Sequence, residues 1–382
     1  MMKKRRSTIR SPRSATASKS RARVHRDKRR ARMKRPASAK LGRRVRGSSR
    51  NIVRRKVPTL KIQHRDYSVG ASDGKAWRES PSSSDDPLGI GEAIHRQWSR
   101  RFHEPARHKN AAWSNILQSG KNYAAGFIQG AGQPTAITPV PIRRKASAVL
   151  CAGASETALQ EVLAQLETLP LQEIVIVLGD PTERMFNLGR TRRNTVIASL
   201  SNSVDSDVGR ALGAKLTGVD TVLFVDGEHA VHADILARFL WECETNCDIA
   251  LNDLSARMGL FHQRDRVDRF HEFLNASLNR EDLTINSMSV LPYAVNRHAL
   301  DTLGAAALAV PAKAHALAIV NGLKIGFGGS AVNGNPRNGI ERDANWRIAA
   351  GDHVEAWREA MSVRGSRLLF NDSTRNRSVL GE

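Results

Sequence analysis

The strongest constraint in this chain of 382 residues is a grammar that begins at Ser147, where short unbroken apolar runs alternate with segments of helical periodicity. The runs are Ala148–Cys151, Ile174–Leu178, Val196–Leu200, Val222–Val225 and Ile249–Leu251, all of strand length. A strand with one face in water alternates apolar with polar residues, whereas a run that is apolar throughout suits a strand of a parallel sheet covered on both faces. Between the runs, Leu159, Val162, Leu163, Leu166 and Leu169 follow the helical period. So do Val208, Ala211, Leu212 and Leu216, and then Ile235, Leu236, Phe239, Leu240 and Cys243. Strand and helix thus alternate at least four times, which predicts a Rossmann-like, doubly wound α/β domain with a mostly parallel sheet.

Charge sets the first part of the chain apart. Of 60 basic and 37 acidic residues, 24 basic and one acidic, Asp27, lie in the first 56, which leaves 36 of each beyond. The whole net charge of +23 therefore belongs to this segment, where Arg/Lys clusters alternate with Ser, Ala and Thr and no Phe, Trp or Tyr occurs. Without apolar surface to bury, it cannot offset an ordering cost of roughly 1–2 kcal/mol per residue. Residues 1–60 are expected to be a disordered basic tail that binds polyanions through residues 1–56, by counterion release and with little sequence preference. Nucleic acid and anionic cell polymers or surfaces all fit that chemistry. No stretch is apolar enough to span a membrane, and no apolar segment of a secretion signal follows Met1, so a cytoplasmic location is expected. Cys151, Cys243 and Cys247 form no CxxC pair and read as reduced core residues.

Residues 61–144 are read as a polar linker with short helices, since Ile90, Ala93, Ile94, Trp98 and Phe102 recur at helical spacing and Trp113, Ile116 and Leu117 open a second such pattern. From Tyr123 to Gly130 an aromatic residue and a glycine each recur after four residues. On a helix this makes an aromatic ridge beside a flat glycine ridge, suited to close packing against another helix; the alternative is a loose Gly-rich linker.

In doubly wound sheets ligands bind at the carboxyl ends of the strands. After the first run comes Ala152-Gly-Ala-Ser-Glu156, after the second Gly179-Asp180, and after the fourth Asp226-Gly227-Glu228. No GxGxxG follows the first run, which argues against a standard dinucleotide fold. Asp226 and Glu228 flank one glycine at a strand end, where two carboxylates can converge on a hard cation and the glycine lets a phosphate approach the backbone. The bland alternative is a solvated turn.

The segment Gly209-Arg210 through Gly218 to Val225-Asp226-Gly-Glu228 resembles the central signature of family 2 glycosyltransferases, in which a basic residue opens a helix of small residues and an apolar strand ends in a DxD motif. Val149 through Glu156 resembles the opening strand of that family. The resemblance covers about residues 147–240 and implies a GT-A-type fold over residues 145–378. It further implies that Ala152 and Glu156 lie near the nucleoside, Asp180 near base or ribose and Arg210 near the pyrophosphate, with Asp226 and Glu228 holding ribose, diphosphate and a divalent metal, Mn²⁺ or Mg²⁺. An exposed helical arginine is the other reading of Arg210. Two features depart from the pattern: Glu228 replaces the second aspartate, and Gly179-Asp180-Pro-Thr replaces an Asp-rich turn.

Ser287 to Arg297 resembles the loop before an arginine-bearing helix in related enzymes, but Ser289, Leu291 and Pro292 stand where an acid often does. An inverting transferase needs a general base. Either the base lies elsewhere, with Asp253 and Asp265 as candidates, or the chemistry is not inverting. Asp352 is an N-cap by residue type for a helix carrying Val354, Trp357 and Met361, and His353 in its first turn is a further metal-ligand candidate. Arg364, Arg367, Arg375 and Arg377 either touch phosphate or acceptor or form a solvated face. The expected function is transfer of a sugar from a nucleotide-diphosphate donor to an acceptor, with the tail as a tether. The alternatives are a sugar-phosphate nucleotidyltransferase and a non-catalytic polyanion-binding protein built on a degenerate transferase domain.

Overall fold

The computed structural model describes residues 64–80, 87–104, 111–153, 155–192, 194–331 and 346–370. The basic tail expected over residues 1–60 lies outside them, as do Arg375 and Arg377. Where a polar linker with short helices is expected, three longer helices stand: α1 (His64–Arg78), α2 (Pro87–Phe102) and α3 (Trp113–Ala131). α1 has little apolar periodicity because it packs largely through glycine. A Cβ added at Gly70 or Gly74 would lie 2.1 or 2.2 Å from the carbonyl oxygen of Tyr123 or Phe127 on α3. Reciprocally, one at Gly126 or Gly130 would lie 2.0 or 2.2 Å from that of Tyr67 or Ala71 on α1. Two glycines spaced by four on each helix thus let the backbones touch. The aromatic ridge of α3, Tyr123 and Phe127, is buried with Trp77, Ile90, Ile94, Trp98 and Phe102, so the helical reading of this stretch holds and the loose linker does not. Asp73 of α1 joins all three helices, accepting from Arg101 Nε and Nη2 at 2.5 Å and from Tyr123 Oη at 2.7 Å.

The sheet has seven strands. β1 (Ala146–Ala152), β2 (Leu171–Gly179), β3 (Thr195–Leu200) and β4 (Thr221–Asp226) are mutually parallel; β5 (Ile249–Leu251), β6 (Tyr293–Asn296) and β7 (Ile325–Phe327) complete the order β3-β2-β1-β4-β6-β5-β7. β6 runs antiparallel to β4 and β5, while β5 is parallel to β7. The connections after β1 to β4 are α4 (Glu156–Leu166), α5 (Glu183–Arg190), α6 (Ser206–Leu216) and α7 (Ala233–Thr245). The expected doubly wound, mostly parallel α/β architecture is therefore observed. Alternate residues of each central strand enter different cores. Val149, Val175, Val222 and Phe224 pack with Ala211 and Ala214 of α6. Leu150, Ile176, Leu178 and Val225 pack with Leu159 and Leu163 of α4 and with Leu236 and Leu240 of α7. Each central strand is covered on both sides, which is why its sequence is apolar throughout. β3 departs from that expectation: it is the sheet edge, and Val196 and Leu200 are each 36% exposed.

Polar residues cap the helices that follow the strands. Ser155 Oγ accepts from the Ala158 N–H at 3.2 Å, Thr182 Oγ1 from Met185 at 3.2 Å and Asp205 Oδ1 from Asp207 at 2.8 Å. The α1–α3 layer meets α7 through Trp241, which stacks on Trp113 and lies edge-on to Phe102.

After β5 come α8 (Arg266–Ser277), α9 (Arg297–Leu303), α10 (Pro311–Val320) and α11 (Trp346–Arg364). α11 begins upstream of the start expected at Gly351-Asp352, so Asp352 is not its N-cap and His353 is not in its first turn. The periodicity starting at Val354 concealed an earlier turn built on Trp346, Ile348 and two alanines. Arg297 is engaged by backbone: Nε and Nη2 donate to Val219 O at 3.0 and 2.7 Å, and Nη2 also to Thr217 O at 3.1 Å. Cys243 and Cys247 are buried and Cys151 is half-buried, all as free thiols. Among the described residues no helix is long and apolar enough to cross a membrane.

Candidate functional site

β4 delivers Asp226 to the carboxyl end of the sheet. Its Oδ1 accepts from the Glu228 N–H at 2.9 Å, and Oδ2 lies 2.9 Å from His229 Nδ1. Gly227 has a reason different from the expected one. A Cβ there would lie 2.3 Å from Cys151 O and 2.8 Å from Ala152 Cα, so the glycine serves close passage of β1 rather than approach of a phosphate. The Glu228 carboxylate turns the same way and accepts from the Gly153 N–H at 2.7 Å.

α6 contributes Arg210, which is only 4% exposed, so the reading of an exposed helical arginine is excluded. Nη2 donates to the Asp207 carboxylate one turn earlier, and Nη1 to Met288 O at 3.3 Å. Nε is buried with no hydrogen-bond partner among the described residues. The guanidinium is thus held by two acceptors while its Nε–H stays unengaged.

α11 contributes His353, buried against the rings of Phe270 and Trp357. Its Nδ1 lies 2.6 Å from Ala349 O; a carbonyl oxygen only accepts, so Nδ1 carries the hydrogen. Burial lowers the pKa of this ring and keeps it neutral. The lone pair therefore sits on Nε2, which is buried and without a partner among the described residues.

Arg210, Asp226 and His353 line one cavity of about 490 Å³ at the carboxyl ends of the strands. Asp205, Asp207, Asp352 and His229 share it, as do Arg257, Ser289 and Leu291. Burial, followed by the negative charges of Glu355 and Asp205, raises the Asp352 pKa. Ala152, Glu156, Asp180 and Glu228 do not line the cavity. Ala152 is buried at the end of β1, and Glu156 is exposed in the first turn of α4. Asp180 is exposed in a left-handed conformation (φ 50°), its N–H donating to Leu200 O at 2.9 Å.

The two carboxylates considered as general bases have structural partners and are also off the cavity. Asp253 Oδ1 accepts from the Ser255 N–H at 2.9 Å, and Asp265 caps α8 by accepting from the Asp268 N–H at 2.6 Å. Arg364 donates to Leu278 O at 3.0 Å and Ile319 O at 3.3 Å, which makes it a brace and not part of a solvated basic face. Asp207 and His229 escaped sequence reasoning because each stands beside a more conspicuous residue, Arg210 and Glu228; Asp352 was visible but read as a cap.

The donor types suit a divalent ion: Asp226 brings a carboxylate and His353 an unpartnered imidazole nitrogen, and both residues line one cavity. Glu228 is engaged elsewhere, and among the described residues no three His, Cys, Asp or Glu side chains are gathered as a ready metal cluster.

The sequence matches no family profile and no curated protein. Solved structures similar to this chain include glucosyl-3-phosphoglycerate synthase from Mycobacterium tuberculosis in complex with Mn²⁺, UDP and phosphoglyceric acid, at 15% identity and a TM-score of 0.40, covering 60% of this chain and 81% of that one. Another is the mannosyltransferase PcManGT from Pyrobaculum calidifontis in complex with GDP-Man and Mn²⁺, at 14% identity and a TM-score of 0.37, covering 72% and 76%. Likeness at this level does not decide function.

Proposed function

We propose that residues 145–378 form a glycosyltransferase domain that takes a sugar from a nucleotide-diphosphate donor bound at the carboxyl ends of β1 and β4. The observation that carries this reading is the convergence of Arg210, Asp226 and His353, from three separate parts of the chain, on one cavity. Four aspartates and two arginines line that cavity, so its wall is net negative and admits a diphosphate readily only with a cation. Asp226 and His353 would hold Mn²⁺ or Mg²⁺, and such an ion would neutralise the charge developing on the departing diphosphate. Arg210, oriented by Asp207 and Met288 O, would add a fixed positive charge for phosphate oxygens. Asp352 of α11, which lines the same cavity, would be the carboxylate that meets an acceptor hydroxyl. The tail, by its charge, would hold the enzyme to a polyanion.

One observation favours the non-catalytic alternative: Asp226 and Glu228 both accept from the chain's own backbone N–H groups. The experiment that separates the two is release of UDP or GDP from a panel of UDP- and GDP-sugars with Mn²⁺. Steady release, lost in Asp226→Asn, supports the transferase. Nucleotide binding without release from any donor would leave the degenerate scaffold.

A further inference from the structure

α11 presents His353 to the cavity and, on another face, an apolar stripe to solvent. Val354, Trp357 and Met361 follow one another at helical spacing, with Phe273 of α8 beside them and Phe370 beyond the helix end. Together they line a shallow groove of about 590 Å³. Phe273 and Val354 are each 62% exposed and Phe370 is 51% exposed, while Phe273 packs edge-on against the half-buried Trp357. An amphipathic helix normally turns such a stripe to the core, and clustered exposed aromatic and aliphatic side chains mark a binding surface. Arg358 and Arg367 stand in the same lining, long side chains that can keep their charge at the level of polar headgroups.

We propose that this groove docks on an anionic lipid bilayer and that the basic N-terminal segment is its electrostatic partner. The inference rests on the proposed polyanion-binding role of residues 1–56 and is independent of the glycosyltransferase chemistry. Charge complementarity selects the occupant. The first 56 residues carry 24 Lys or Arg against one acid, a polybasic signal for anionic headgroups. A polybasic segment or a small apolar contact alone gives weak, reversible attachment, and the two combined give stable attachment. Nucleic acid fits less well, because exposed Phe and Val gain nothing from a phosphate backbone and the tail has no aromatic residue to stack on bases.

The test is co-sedimentation of the full-length protein with vesicles of phosphatidylcholine alone or mixed with phosphatidylglycerol, across a salt series. A triple variant, Phe273→Gln with Val354→Gln and Phe370→Gln, alters only exposed positions. We expect strong binding to the anionic vesicles by the native protein and about tenfold or more weaker binding by the variant, with its binding to duplex DNA unchanged. Val354→Leu, which enlarges the stripe, should bind the same vesicles more tightly. Vesicle binding that is steeply salt-dependent but equal in native and triple variant would overturn the groove's role while leaving the tail reading intact. Failure of the native protein to bind either vesicles or DNA would remove the tail reading itself. A dimer by light scattering that the triple variant converts to monomer would assign the groove to a second copy and overturn the proposal.

Discussion

The Glu228 carboxylate accepts a 2.7 Å hydrogen bond from the Gly153 N–H and thereby ties the turn after β4 to the turn after β1. The second acid of the Asp-Gly-Glu motif is in this arrangement a brace between two loops of the candidate site. Gln at 228 keeps an acceptor oxygen, and Ala does not. Glu228→Ala is expected to lower stability by about 1 kcal/mol and Glu228→Gln by clearly less, read from denaturant midpoints at unchanged slope. Equal losses in the two variants would show that charge, and not the hydrogen bond, is what matters there.

Glycines in this chain divide by what surrounds them. Gly126→Val would drive a branched side chain into the Tyr67 carbonyl, 2.0 Å from the first added carbon, and force α1 away from α3. A loss of at least about 2 kcal/mol is expected. Gly351, in the interior of α11, has open space around its missing Cβ. There Gly351→Ala should raise stability by about 0.5–1 kcal/mol, because glycine costs entropy in a helix and nothing obstructs the methyl. Thermal unfolding of the two variants should move in opposite directions.

The contrast between those glycines also explains how much could be read from residues alone. β1, β2, β4 and the short β5 were legible because the run is apolar throughout and buried; β6 ends in Asn296 and β7 is interrupted by Gly326, so neither leaves an unbroken apolar run. α1 was invisible because its contact is made by backbone at Gly70 and Gly74, which apolar periodicity does not register. At the site, Asp226 stood out by its position at a strand end, and Arg210, on the helix before that strand, through the family resemblance. That Asp352 and His353 reach the same cavity depends on packing of α11 against α8 and α10, a long-range event with no local signature.

Part of the acid sensitivity should originate at His315, which is wholly buried with Nε2 2.7 Å from Asn275 Oδ1. Desolvation, then the positive charge of Arg280 and the proximity of the His353 ring, hold its pKa down at about 3, against an ordinary 6.5. Between those values the unfolded chain binds a proton that the folded chain does not. Stability contributed by the neutral ring is thus complete above the ordinary value and falls as the pH drops from there toward the folded one, by up to about 1.4 kcal/mol per pH unit from this group. His315→Gln should be less stable at neutral pH yet show a shallower decline on acidification. Parallel pH curves for the two proteins would assign the acid sensitivity elsewhere.

The central claim is that Asp226 and His353 join a metal ion and a nucleoside diphosphate in one cavity. Isothermal titration of UDP and GDP into the full-length protein, with Mn²⁺ present or removed by EDTA, tests it most directly. At least one nucleotide should bind in a metal-dependent way, with affinity reduced by about tenfold or more in Asp226→Asn and in His353→Ala while both variants keep a cooperative thermal transition. Binding of equal strength without metal, or undiminished binding by Asp226→Asn, would contradict the account.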